Sequence, residues 1–434
     1  METKLIRIAQ IAKEKPKEVF TSLYHHLNEE MFTVCHEELK GDKATGIDHI
    51  TKENYAENLR ENISQLVKAL KRHSYKPQPV KKVYISKADG RKRPLGLPSY
   101  EDKIVQLGIA KILQAIYEAD FLPCSFGFRP KTGCHDALRR LDKVINDHKV
   151  NYVLDADIKG FFDNLNHRQL IEFLSLRIAD PNIKRLVVRF LKAGVMEQDN
   201  FEPTLKGTPQ GAIISPLLAN IYLHYVLDVW FVQIVKKYCK GEAYLIRYAD
   251  DFVCCFQYRQ DTLRFYKALQ ARLEKFNLQL ALNKTKIIEF GRFAERDRDK
   301  RGEGKPETFS FLGFTHYCSK NRKGKFRVKR KTDIKKFRAK VKAFNVWIKL
   351  TRNIYRISEL FRQTKPKLLG HYAYYGITDN SVMIRNYYDR VVRLLHKWLN
   401  RRSQRKSFSL TTFKLYLKDN PLPLPRICVN IFYS

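Results

Sequence analysis

Residues 244–256 read YLIRYADDFVCCF, which sets Asp250 and Asp251 side by side between two apolar runs. A second acidic pair, Asp155 and Asp157, sits in VLDADIKGFF. Neighbouring carboxylates repel, and a sheet does nothing to relieve them. Two chemistries fit such acids. One is a solvated turn, because Asp bonds readily to its own backbone there. The other is a divalent cation that neutralises a convergent cluster. Mg²⁺ takes oxygen ligands, keeps several waters and shares its site with substrate phosphates. Two such ions about 4 Å apart activate an attacking hydroxyl and steady a leaving pyrophosphate. The doublet alone favours the turn. The second acidic pair and the basic background of the chain favour the cation.

Convergence requires strands that end together. The spacing predicts a strand, a tight turn and a strand over 244–256, and a strand opening NYVLDADIKGFFDNLNH (151–167) that turns into a helix. If those strands are neighbours, their acids meet on one face. KKVYISKADGRKRPLGLPS (81–99) reads as two strands about a turn at Asp89-Gly90. Residues 1–40, ENLRENISQLVKALKRH (57–73) and KIVQLGIAKILQAIYEADF (103–121) read as helices, and GTPQGAIISPLLANIYLH (207–224) as a loop entering one. Helices mixed with antiparallel hairpins give an α+β class.

The 434 residues carry a formal charge of +37, from 82 basic and 45 acidic side chains. A surface that basic calls for a polyanion, with nucleic acid ahead of an anionic membrane. Residues 291–434 hold 36 Lys and Arg against 10 Asp and Glu, so the last third carries most of the excess. There, KNRKGKFRVKRKTDIKKFRAKVKAFNVWIKL (320–350) interleaves cations with Phe326, Phe337, Phe344 and Trp347. Val341, Phe344 and Ile348 follow helical spacing and face a core, which leaves the cations outward to track phosphates. The segment 291–307 is polar, glycine-rich and without period, and reads as a loop. The apolar run 217–235 is interrupted by Asn220, His224 and Asp228 and reads as buried, so no membrane span is expected. The N-terminus lacks a signal core, which points to an intracellular protein. Eight scattered cysteines form no CxxC pair and read as reduced thiols.

RYADD, VLDADIKGFFDNLNH, GTPQGAIISPLLANIYLH, VYISKADGRKRPLGLPS, SFGFRPKTGCHDAL (125–138), LNKTKII (282–288) and FSFLGFTHY (309–317) together resemble the ordered boxes of a group II intron-encoded reverse transcriptase, or maturase. The boxes cover residues 80–317. The segments LLGHYAYYGITDN and YYDRVVRLLHKWLNRRSQRKSFSLTTFKLYL, with PLPLPRI after them, resemble that family's thumb and its extension.

The resemblance implies a right-hand polymerase. Its parts are a helical N-terminal fingers extension (1–80), fingers and palm (81–317), a helical basic thumb (318–400) and a short C-terminal DNA-binding extension (401–434). It makes Asp157, Asp250 and Asp251 the catalytic ligands of two Mg²⁺ ions. Asp155 is either a supporting acid or a solvated one. Lys87 and Arg93 fall to the nucleotide triphosphate, as suits an ammonium and a guanidinium. Gln210, Gly211 and Ala249 belong at the dNTP and primer end. Phe161 or Phe162 forms the wall that rejects a 2′-hydroxyl, with Phe161 the first choice. Candidate nucleic-acid contacts are Arg129, Lys284, Lys286, Lys329, Arg330, Lys335, Arg338, Arg401 and Arg402. The implied partners are intron RNA, an RNA template with its DNA primer, target DNA and dNTPs, with no membrane and with the oligomeric state left open. The implied setting is bacterial-type cytoplasm, with nucleoid association open. The family's Cys/His endonuclease cluster does not follow PLPLPRI, so an endonuclease-lacking member is expected. Two other functions stay in view: a splicing-only maturase, and a defence-associated polymerase of the same descent.

Overall fold

The acid-bearing runs fold as strands. The computed structural model describes residues 2–86, 92–197, 200–402 and 408–432. Eleven strands are found among them: β1 (Val80–Ser86), β2 (Lys92–Leu97), β3 (Tyr152–Asp157), β4 (Val195–Glu197), β5 (Asn200–Glu202), β6 (Ala243–Tyr248), β7 (Asp251–Phe256), β8 (Lys286–Glu289), β9 (Phe309–Phe311), β10 (Phe314–Lys320) and β11 (Phe326–Thr332). They form three sheets, in the orders β2-β1-β4-β5, β6-β7-β3-β8 and β11-β10-β9. The mixture of helices and sheets agrees with an α+β class.

The chain divides into two compact units. Met1–Ala137, Ala156–Cys254 and Arg259–Lys286 make the first, and Leu138–Asp155, Cys255–Tyr258 and Ile287–Ser434 make the second. Residues 287–317 fall in the second unit.

In the first unit β1 and β2 form the expected hairpin, with Lys81 opposite Leu97 and Ser86 opposite Lys92. Its turn lies outside the described residues. The expected helices are present at Leu59–Lys71 and Tyr100–Tyr117, and residues 1–40 contribute Glu2–Glu14 and Glu29–Glu38. Ser215–Tyr238 is one continuous helix with two π-helical turns, His224–Asp228 and Phe231–Val235. By length and composition it could cross a membrane, but it is mostly buried inside this unit. π-turns inside helices often mark functional positions, because they re-aim a side chain.

β7 is buried from Phe252 to Phe256, including Cys254 and Cys255. Successive strand residues point to opposite faces, so this strand is covered on both sides. The Asn151 N–H donates to the Phe256 carbonyl at 2.9 Å. The start of β3 therefore meets the end of β7, the strands run antiparallel, and the end of β3 arrives at the start of β7.

In the second unit β10 pairs with β11 in antiparallel register, from Phe314 opposite Thr332 to Lys320 opposite Phe326. Three long helices follow, Ile334–Thr351, Ile357–Tyr375 and Ser381–Leu399. Phe344 and Ile348 are buried, as their spacing predicts. One expectation fails: the polar segment 291–307 contains the helix Ala294–Lys300. Glu295 and Asp297 in its first turn and Arg298 and Lys300 in its last suit the helix dipole, while Arg296 and Asp299 run against it, and there is no apolar stripe.

Candidate active site

The β6–β7 hairpin turns on only two residues, Ala249 and Asp250. Ala249 adopts a left-handed conformation, φ 56°. Its back is tightly packed, since a Cβ on Gly127 would lie 2.4 Å from the Ala249 nitrogen. The turn projects Asp250 into a hollow of about 820 Å³ that Asp157, at the end of β3, also lines. Burial pushes the Asp250 carboxyl above its ordinary range, and the negative charge of Asp157 pushes it further. Arg93 and Arg247 act in the opposite direction. Asp251 is exposed at the start of β7 and does not line the hollow, and neither does Asp155.

Residues 279–285 run beside the end of β3. Ala281 donates to the Asp157 carbonyl and Lys159 to the Gln279 carbonyl, each at 2.8 Å. That pairing carries the Lys284 ammonium onto the Asp157 carboxylate.

Beneath the turn lies Arg247, fully buried. All five of its N–H donors are used. Nε and Nη2 grip Asp228 at 2.7 and 2.5 Å, and Nη2 also reaches the Ser125 hydroxyl at 2.7 Å. Nη1 donates to Asn220 Oδ1 and to the Ala249 carbonyl, both at 2.9 Å. The second Asn220 group holds the Gly127 carbonyl at 2.6 Å. Sequence reasoning missed this network. Its only trace was two polar residues, Asn220 and Asp228, inside an apolar helix.

The opposite wall of the hollow comes from the hairpin and the TPQG loop. Arg93 Nε donates to Gln210 Oε1 at 2.6 Å, and Gln210 Nε2 donates to Asp163 at 3.2 Å. The Gly96 N–H bonds the Gln210 carbonyl at 2.6 Å, which ties β2 to the loop. Gly211 has φ +112°, and a Cβ there would lie 2.8 Å from the Gly96 carbonyl oxygen. The close backbone approach expected of Gly211 is therefore made to Gly96. Phe161 and Phe162 both line the hollow, with ring centroids 5.4 Å apart and edge to face. Phe161 is the more deeply buried.

The reverse transcriptase (RNA-dependent DNA polymerase) family matches residues 85–316, more than half of the chain. This chain belongs to that family. It is 40% identical over 239 residues to the group II intron-encoded protein LtrA of Lactococcus lactis subsp. cremoris, covering 54% of this chain and 39% of that protein. A 91 kDa protein in the cob intron of Schizosaccharomyces pombe is 36% identical over 212 residues, 49% of this chain and 26% of its own length. Nuclear intron maturase 2, mitochondrial, of Arabidopsis thaliana is 28% identical over 177 residues, 32% of this chain and 24% of its own. The match thus spans about two fifths of LtrA and about a quarter of the other two.

The remaining candidates differ in exposure. Lys87 lies outside the described residues. Lys286, Lys335, Arg338 and Arg401 are exposed, and Lys329 and Arg402 are half-buried. Three expectations need correction. Arg330 is fully buried against Asp142 and cannot meet a phosphate. β11 alternates, so Val328, Arg330 and Thr332 share the inward face while Lys331 faces solvent. Arg129 is committed internally, to Glu118 and to the Leu122 and Ser125 carbonyls at 3.0 and 2.7 Å. Ala249 is buried and lines no part of the hollow, so its contribution is the shape of the turn.

The donor set suits a hard cation. Asp157 and Asp250 offer two carboxylates on a shared wall, and the Asp157 charge adds to burial in raising the Asp250 carboxyl. Among the described residues no three His, Cys, Asp or Glu side chains form a closed metal cage. Mg²⁺ that shares its coordination with substrate phosphates needs only one or two carboxylates.

Proposed function

We propose that this chain is the RNA-directed DNA polymerase of a group II intron, and that it also binds the intron RNA as a maturase. The observation that carries the polymerase reading is the meeting of Asp157 and Asp250 at the ends of antiparallel strands, opposite Arg93 and Gln210. In this reading 1–80 and the β1–β2 hairpin are fingers, the sheet carrying the acids is palm, 318–400 is thumb, and 401–434 contacts target DNA.

The 3′-hydroxyl oxygen of a primer attacks the α-phosphorus of a dNTP. A new P–O bond forms as the bond to pyrophosphate breaks. Asp157 and Asp250, which line the hollow, together with Asp251 beside the turn as the resemblance implies, would hold two Mg²⁺ ions, which would lower the hydroxyl pKa and stabilise charge on both oxygens. Arg93 presents a fixed guanidinium to the triphosphate, and its bond to Gln210 sets the angle of that fork. The rings of Phe161 and Phe162 narrow the sugar site against a 2′-hydroxyl. The Lys284 ammonium balances Asp157 until substrate arrives. The identity to LtrA and the charge of +26 over residues 291–434 support the RNA partner.

The test is primer extension on an RNA template with Mg²⁺ and dNTPs. Asp157→Asn and Asp250→Asn should each slow extension about a thousandfold, the equivalent of several kcal/mol of lost charge stabilisation. Extension at the wild-type rate by either variant would remove the assignment.

A further inference from the structure

The second unit contains a hollow of about 600 Å³ among the helices Ile334–Thr351, Ile357–Tyr375 and Ser381–Leu399, and none of the candidate site residues named above lines it. Its walls are aromatic: Phe344, Trp347, Tyr375 and Tyr387. Lys340 and Lys367 are exposed residues of its lining, and the Lys367 ammonium lies 4.6 Å from the centre of the Trp347 ring.

Two observations point to an occupant. The first is His371, which lines the hollow and is only 6% exposed. It stacks on Tyr387 with centroids 3.7 Å apart, and neither ring nitrogen has a hydrogen-bond partner among the described residues. A buried imidazole with both nitrogens unmet is costly unless a ligand meets them. Burial, then the nearby Lys340 charge, pushes its pKa down to about 4. At neutral pH the ring therefore offers one donor and one acceptor.

The second is Gly370, in the interior of the helix Ile357–Tyr375. Glycine there weakens a helix by about 1 kcal/mol relative to alanine. Neither backbone nor packing demands it: its φ is not left-handed, and a Cβ would meet nothing within 4 Å. A side chain at this position would instead project into the hollow.

We propose that this hollow receives one unstacked base of single-stranded RNA, held between aromatic rings, with its edge read by His371 and its flanking phosphates met by Lys340 and Lys367. Every base has a π-face, and aromatic stacking beside cations is the usual way of holding single strands. The region's excess of basic over acidic residues favours a polyanion over a peptide or a neutral ligand. The choice of RNA rests on the function proposed above; the base pocket itself does not.

The probe is an RNA decamer that is abasic except for one central 2-aminopurine, with a fully abasic decamer and a DNA counterpart beside it. The full-length chain should quench the 2-aminopurine and bind that probe about tenfold more tightly than the abasic one. Gly370→Leu, which fills the hollow without straining the helix, should abolish the quenching and the tenfold preference. Gly370→Ala should retain both. Equal binding and quenching by wild type and Gly370→Leu would overturn the pocket, and a response to the DNA probe alone would overturn the assignment to RNA. Primer extension by the same preparations keeps the two claims apart. Gly370→Leu should still extend a primer, and a wild type that cannot would count against the polymerase reading, not the pocket.

Discussion

Arg247 in the first unit and Arg330 in the second are both fully buried, and each faces an aspartate. Arg247 places all five donors, two of them on Asp228. Burial alone would pull its guanidinium down, but Asp228 holds it above its ordinary value. Arg330 reaches Asp142 through Nη2 only, while Nε and Nη1 find no partner among the described residues. Burial there outweighs Asp142, so the guanidinium is pulled down and the Asp142 carboxyl is pushed up. A buried ion pair repays its desolvation only when its remaining hydrogen bonds are also made. The first pair meets that condition and holds the β6–β7 turn by a backbone carbonyl. The second does not, although Asp142 also accepts from Asn146, whose Oδ1 receives the Val328 N–H at 2.9 Å.

The largest expected effect is at Arg247. Arg247→Met strands Asp228 in the core and should cost about 3–5 kcal/mol in chemical denaturation. It should also lower primer extension, because the Ala249 carbonyl loses its donor. A loss below about 1 kcal/mol would erase the contrast between the two pairs.

His316 gives the next effect. It is fully buried opposite Arg330, and burial, then that guanidinium, pushes its pKa down to about 3. Above about pH 6.5 the ring is neutral both folded and unfolded, and its contribution is intact. As pH falls below that, the unfolded chain takes up a proton first, so stability drops by about 1.4 kcal/mol per pH unit until about pH 3. Between pH 6.5 and 5 the loss is about 2 kcal/mol. His316→Phe should flatten the fall of the urea midpoint over that range. An unchanged slope would mean that the ring does not feel its burial.

The smallest effect belongs to the double replacement Asp142→Leu with Arg330→Met. Stability should stay the same or rise by up to about 3 kcal/mol, while Arg330→Met alone is destabilising because Asp142 is left unpaired. A double variant as damaged as Arg247→Met would show that the second pair is no weaker than the first.

The geometry of the candidate site was largely legible in sequence, because it is local. Alternation and a two-residue turn place Asp250, and the apolar run before it makes Asp157 the end of a strand. Only the adjacency of the two strands had to be supposed. The supports were hidden because they are distant. Arg247 meets Asp228 and Ser125, 19 and 122 residues away, and no pattern links such positions. Arg330 was misjudged for another reason. In a run as basic as FRVKRKT every cation looks alike, and only pairing with β10 decides which face turns inward. The helix at Ala294–Lys300 escaped because it carries no apolar stripe and its charges alternate.

The two-residue turn between β6 and β7 also bears on how this protein can diverge. Side chains alternate along a strand, so one added residue between Tyr248 and Asp251 would reverse the facing of everything after it. Both faces of β7 beyond Asp251 are covered, so residues fitted to one packed face would be turned onto the other. Substitution at position 249 leaves that parity untouched; insertion does not. Variants of this hairpin should therefore differ in composition while keeping its length.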